Sequence, residues 1–296
     1  QIVLQQTIIM FLYMMTGYGL IKSRKLTDDG SREIANLLIW LIIPTVIINS
    51  FCIEAGKEKI IELGISTFLG AVALLIALLI ARVLYGKRTI NQFAAAFSNA
   101  GFIGIPLVKE ALGEEAVFYL VGMIAMLNIL QWTYGVMILT GKKQAVSLKN
   151  MLFNPIVFGT VIGLILFLTG LGGRMPYVIS QTIQGISAIN APVAMIVLGT
   201  YLAKTSWKEL FTDVELYKLA VVRLIIIPVV TILIFKILPG SSQMHMAIVI
   251  GAGAPVGANV AVYSQINHLD YAYACRTVAF TTILSIAVMP VILMLV

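Results

Sequence analysis

The chain has 296 residues, of which 60% are hydrophobic and only 11% are charged. Soluble domains carry about 25% charged residues, so a soluble enzyme or binding module is excluded and a polytopic membrane protein is indicated. The formal charge of +7 would suggest nucleic acid on a soluble domain, but here the placement of basic residues between apolar segments accounts for it.

About 20 apolar residues cross the hydrocarbon core of a bilayer. On that ruler the sequence predicts ten segments, roughly 4–21, 33–52, 61–84, 91–112, 115–140, 151–170, 177–203, 214–238, 243–266 and 272–295. The first reads as a true span, not as a cleavable signal peptide. The connections alternate in charge. Those after the odd-numbered segments carry Lys22, Arg24, Lys25, Arg32, Arg82, Lys87, Arg88, Lys142, Lys143, Lys149, Lys204, Lys208, Lys218 and Arg276. The others carry only Lys57, Lys59, Lys109, Arg174 and Lys236. Cytoplasmic loops hold the Lys/Arg excess. The expected topology therefore puts the basic side inside and both termini outside the plasma (inner) membrane.

Segment four carries Ser98-Asn99-Ala100-Gly101-Phe102-Ile103-Gly104-Ile105-Pro106. A membrane helix has no water to satisfy its backbone, so each interruption is costly. Pro106 lacks an N–H and opposes the carbonyl four residues back, and Gly101 and Gly104 ease unwinding. Segment nine behaves alike, with Gly251, Gly253, Pro255, Gly257 and Asn259. Ordinary kinked helices are the bland alternative. Two broken helices in matching halves are the better pointer to a substrate site. Pro44 answers Pro192, and Gly104–Pro106 answers Gly257–Asn259. With five segments in each half, residues 151–296 are expected to form an inverted copy of residues 1–150.

Breaking two helices exposes N-termini, whose free N–H groups and partial positive charge hold anions. A carboxylate then needs no buried Lys or Arg. Asn99 and Asn259 can donate through their amides, Ser98 through its hydroxyl, and Gly101 and Gly257 would shape the site. Gly104, Pro106 and Pro255 would set the crossover backbone. Asn128 and Gln131, three residues apart on segment five, line the cavity, join a coupling ion's shell, or hold helices together by packing. Arg223, inside segment eight, reads first as snorkelling to the interface and second as attracting the anion. No Asp or Glu lies mid-span: Glu110, Glu114 and Glu115 fall at the ends of segments four and five. Proton coupling through a protein carboxylate is therefore not indicated, while sodium on unwound carbonyls, anion uniport and a protonated substrate stay open. Cys52 and Cys275 are too few for a disulfide framework or metal cluster. They read as packing residues, and His245 and His268, near segment ends, indicate no metal site. No cofactor is expected.

Several pieces in order along the chain resemble the auxin efflux carrier family, closest to its short microbial malate or malonate permeases. They are Gly17-Tyr18-Gly19-Leu20 with Lys25-Leu26-Thr27-Asp28, Pro44, Asn99 with Gly101, Gly104, Pro106 and Leu107, Asn154-Pro155 with Gly163-Leu164, Ala191-Pro192 with Gly199 and Leu202, Arg223 with Pro228, Pro255 with Gly257 and Asn259, and Ser285 with Pro290. The resemblance implies an all-α fold of ten transmembrane helices in two inverted five-helix repeats, like the sodium–proton antiporters and bile acid symporters, with helices four and nine broken and crossing. Spans 1, 2, 6 and 7 would form a scaffold and dimer contact, and spans 3–5 and 8–10 a transport domain moving as an elevator. It implies carboxylate substrates, either dicarboxylates or auxin-like monocarboxylates. Asn99 stands seven residues before Pro106, where the plant carriers have an Asn near the substrate carboxylate. Val260 departs from the plant members of the family, which have a second proline there. Only Gly141–Asn150 joins the halves, as in the short microbial type.

Other readings compete. A sodium-coupled organic-anion or bile-acid-type symporter, a channel and a non-transporting sensor would share the scaffold. A membrane enzyme is disfavoured: the sequence has no His-Glu-x-x-His, and its one Asp-Asp, Asp28–Asp29, is a loop turn.

Overall fold

The computed structural model describes residues 2–54, 56–141 and 154–295. The predicted connection Gly141–Asn150, with Lys142, Lys143 and Lys149, lies outside these residues apart from Gly141. The chain is all-helical. Among the described residues no strand forms beyond one isolated antiparallel bridge, Ser98–Val256.

In chain order the helices are α1 (Ile2–Lys22), α2 (Asp28–Ser50), α3 (Lys57–Tyr85), α4 (Thr89–Ala96), α5 (100–112) and α6 (Glu114–Thr140). They continue as α7 (Pro155–Leu168), α8 (Tyr177–Ala203), the short α9 (Trp207–Thr212), α10 (Val214–Phe235), α11 (Ser242–Gly253), α12 (Asn259–Ile266) and α13 (Tyr271–Leu293). By length and composition α2, α3, α6, α8, α10 and α13 can each cross a membrane. The exposed face of α3, with Ile61, Phe68, Leu75, Leu79 and Val83, is the apolar stripe that such a helix presents to lipid.

Local sequence explains the irregularities. Asn154 caps α7, its Oδ1 accepting from Ile156 N and Val157 N, with Pro155 at the first helical position where a missing N–H costs nothing. Three times a five-residue π turn ends two residues before a proline: Leu38–Ile42 before Pro44, Ala100–Gly104 before Pro106, and Val222–Ile226 before Pro228. In each, the backbone N–H bonds five residues back, as from Ile105 N to Ala100 O. The proline ring cannot accommodate the normal carbonyl position, so the preceding turn widens. A fourth π turn, Gln131–Gly135, has no such proline.

Packing relies on small residues at close approaches and rings between helix ends. α1 and α8 touch backbone to backbone at Gly17 and Gly199, where an added Cβ would strike the main chain of the other helix at Ile196 and Met14. Small residues permit this in membranes, where water does not drive association. Phe51, Phe118 and Phe167 pack with ring centroids 5.4–6.0 Å apart, joining the ends of α2, α6 and α7. The first half of α8 is exposed on most sides, with Tyr177 at 77% and Val178 at 74%. It also presents Gln181 and Gln184, paired with each other at 3.4 Å.

Candidate functional site

The two interrupted helices meet at the bridge. α4 ends at Ala96, and Phe97 is extended. α11 ends at Gly253, and Ala254 is extended by ψ 150°. Asn99 N donates to Pro255 O at 2.8 Å, and Gly257 N donates to Phe97 O at 3.0 Å. Val256 N donates to Thr281 Oγ1 on α13 at 3.1 Å. The backbone groups freed by the breaks thus find partners inside the protein, as an anhydrous interior demands. Gly257 is fitted to this contact: a Cβ there would stand 3.0 Å from the Ser98 carbonyl oxygen.

The breaks do not fall where Gly101, Gly104 and Pro106 suggest. These three lie in the resumed helix of α5, and the unwound residues are 97–99 and 254–258. Pro106 widens a turn and does not end the helix. The boundary is set by Asn99, whose Oδ1 accepts from Phe102 N at 3.3 Å as an N-cap. Pro255, by contrast, sits within the second break.

Ser98, Asn99, Gly101, Asn128, Gln131, Gly257 and Asn259 all line one cavity. Its walls are completed by Ile43, Phe102, Leu127, Ile156 and Ala258, apolar residues that the polar pattern of the sequence did not single out. The cavity is small, about 40 Å³, room for roughly three waters. At Gly101 a Cβ would meet only Ile43 Cδ1 at 3.7 Å, so its lack of a side chain keeps the cavity clear.

The hydrogen bonding in this cavity is incomplete. Asn259 Nδ2 donates to Gln131 Oε1 at 2.6 Å, joining α12 to the π turn of α6. Asn128 Nδ2 donates to Ile124 O at 2.8 Å. Ser98 Oγ and Asn99 Nδ2 are buried without any partner, and both residues are at least nine-tenths buried. A buried donor left unmatched costs about 1–3 kcal/mol. Asn99 thus spends its oxygen on the helix start and keeps its NH₂ free at the mouth of that same N-terminus. The first N–H groups of α5 also have no intrahelical acceptor. Such an arrangement favours an oxygen-rich anion.

Arg223 does not snorkel to the interface, the first reading of its place inside segment eight. It is 1% exposed. Its Nε donates to Ala254 O at 3.0 Å, one Nη donates to Ala95 O at 2.8 Å, and the other Nη donates to Ala252 O. The acceptors are the terminal carbonyls of α4 and α11, which a helix cannot satisfy by itself. The clue in the sequence was a lone mid-span cation with no mid-span acid. Only unpaired carbonyls can serve such a group, and broken helices supply them.

The outer ends of the four half-helices turn through positive φ: Gly86 (47°) before α4, Gly113 (95°) after α5, Gly240 (143°) before α11 and His268 (55°) after α12.

Comparison with known proteins places the chain among transporters. A family model described as "Membrane transport protein" matches residues 2–151 and 144–293. A protein of Methanothermobacter thermautotrophicus named "Uncharacterized transporter" is 27% identical over 290 residues, covering 94% of this chain and 93% of the relative. A Rhizobium meliloti protein named "Putative malonate transporter" is 24% identical over 266 residues, covering 84% and 82%. The Gly-rich breaks, the unsatisfied donors between them and these matches agree, and the chain belongs to the membrane transport protein family that includes the auxin efflux carriers.

Proposed function

We infer that the chain is a secondary carrier of small organic carboxylate anions, working by alternating access in the plasma membrane. The observation that carries this reading is the pair of unmatched donors, Ser98 Oγ and Asn99 Nδ2, in a cavity bounded by both helix breaks and lined by no acidic residue. Asn99, Ser98 and Asn259 bind the carboxylate, Asn128 and Gln131 position Asn259 and the cavity wall, and Gly101 and Gly257 leave the space. The architecture proposed is two inverted five-helix repeats, 1–150 and 151–296. Spans 1, 2, 6 and 7 are the scaffold, and spans 3–5 and 8–10 are the moving, elevator-like domain. The basic connections face the cytoplasm and both termini face out. A homodimer is supported by the exposed first half of α8, whose Gln181 and Gln184 would be costly to leave against lipid.

The reading is tested by thermal unfolding of purified protein with malate, malonate, succinate, citrate, lactate and indole acetate, each with and without sodium. Malonate is included because of the name that the Rhizobium relative bears. A carboxylate present at 100 times its Kd stabilises by about 2.7 kcal/mol, so one or more of these anions is expected to raise the unfolding temperature. A response only to cationic or neutral amphipathic compounds would overturn the substrate class. Dependence on sodium would favour the symporter alternative, and binding without counterflow would favour a sensor.

Pro106→Ala tests the wide turn. Restoring the N–H lets the π turn close into an α turn and shifts the N-terminal donors of α5. Transport into proteoliposomes is expected to fall about tenfold, the effect of about 1.4 kcal/mol, while the yield of folded protein changes less. Equal loss of both would make the proline merely structural.

A further inference from the structure

Among the described residues Arg223 is the only charged side chain that is buried. It holds carbonyls at the C-terminal ends of both α4 and α11, and two of the three, Ala95 and Ala254, lie three residues along the chain from the cavity-lining Ser98 and Gly257. Two helix C-termini meet there, each carrying about half a negative charge, and the N-terminal ends beyond the breaks carry the opposite sign. The guanidinium offsets the C-terminal ends, and the N-terminal ends are left for the ligand. No carboxylate lines the cavity or lies buried near it among the described residues, so the positive charge of Arg223 has no protein counter-ion. An arginine side chain stays protonated in proteins.

We propose that Arg223 is the carrier's own counter-charge: it travels with the bound anion, cancels one of its negative charges, and takes the place of a coupling cation. This rests on the elevator reading above, in which α4, α10 and α11 move together with the cavity. A monocarboxylate then makes a neutral loaded carrier, and a dicarboxylate makes one of net charge −1. The empty carrier returns with charge +1.

Counterflow uses only loaded states, so it reads this charge directly. Purified protein in liposomes would exchange radiolabelled lactate, a monoanion, or malonate, a dianion at neutral pH, across potentials set with potassium and valinomycin. A unit charge moved through 100 mV weights the two facings by about fiftyfold. Lactate exchange is expected to be insensitive to the potential, and malonate exchange to show one apparent charge. Arg223→Gln should raise each apparent charge by one, while Arg223→Lys, which keeps the cation, should match the parent. A purely structural role would lower rates in both variants and leave the apparent charge unchanged. If Arg223→Gln does not fold, the parent still decides: exchange that shows the anion's full charge overturns the proposal and leaves the carrier reading intact. Exchange of none of the six panel anions overturns the carboxylate-carrier reading, and this inference with it.

Discussion

Asn99→Ala is expected to weaken carboxylate binding by about tenfold to a hundredfold, since a hydrogen bond to a charged group contributes about 1.5–3 kcal/mol. Asn99 Nδ2 is one of the two unmatched donors at the break, and its removal leaves only the Ser98 hydroxyl there. The same substitution removes the cap on Phe102 N, which costs about 1 kcal/mol of stability. The two effects can be separated. Asn99→Asp keeps an oxygen for the cap but replaces the NH₂ donor with a negative charge. It should leave thermal stability near that of the parent and abolish carboxylate binding. Isothermal titration with whichever panel anion stabilises the parent, run beside thermal unfolding, checks both. If purified Asn99→Ala binds as well as the parent, the site is elsewhere.

Gly199→Ala should destabilise the fold by about 3 kcal/mol, the upper end for overpacking, although it adds one methyl group to a helix. The added Cβ falls on the Met14 carbonyl and stands 2.8 Å from Tyr18 N. Those atoms are main chain of α1, so no rotamer change can make room. Gly19→Ala is the control: nothing lies within 4 Å of a Cβ there, and alanine is favoured over glycine in a helix by roughly 0.5–1 kcal/mol. Size-exclusion profiles after a heating series should show early loss of the Gly199→Ala protein and parent-like or better survival of Gly19→Ala. Equal behaviour of the two would mean that α1 and α8 do not pack as closely as described.

Much of the site was legible because polar residues are rare in so apolar a chain. Ser98, Asn99, Asn128, Gln131 and Asn259 stood out against their segments, and the structure gathers them around one cavity. The helix breaks were legible as regions but not as positions. Glycine and proline mark where a helix can be deformed. Where it ends depends on which backbone groups find another partner, here the pairing of Phe97 and Asn99 with Gly257 and Pro255, and no local signal records a partner some 158 residues away at Val256. The matched triplets Gly104–Pro106 and Gly257–Asn259 likewise do not both lie in breaks: the first belongs to α5. Arg223 was misread for the same reason. Hydropathy treats a lone cation within a span as a group that snorkels to the surface, while its acceptors, Ala95, Ala252 and Ala254, are alanine carbonyls that no side-chain pattern can reveal.

The bridge and the arginine tie both breaks into one unit, and each of its four far ends turns through positive φ. In the elevator reading proposed above, both breaks and these four turns lie within spans 3–5 and 8–10, so a change of facing would carry the cavity's donors as one body. In a carrier of the kind proposed, the anion keeps the same donors whether it is about to enter or leave. Its dissociation constant would then be equal on the two faces of the membrane. Such a machine has no preferred direction of its own: it runs whichever way the gradients of anion and potential point, and a cell sets import or export by what it does with the anion afterwards.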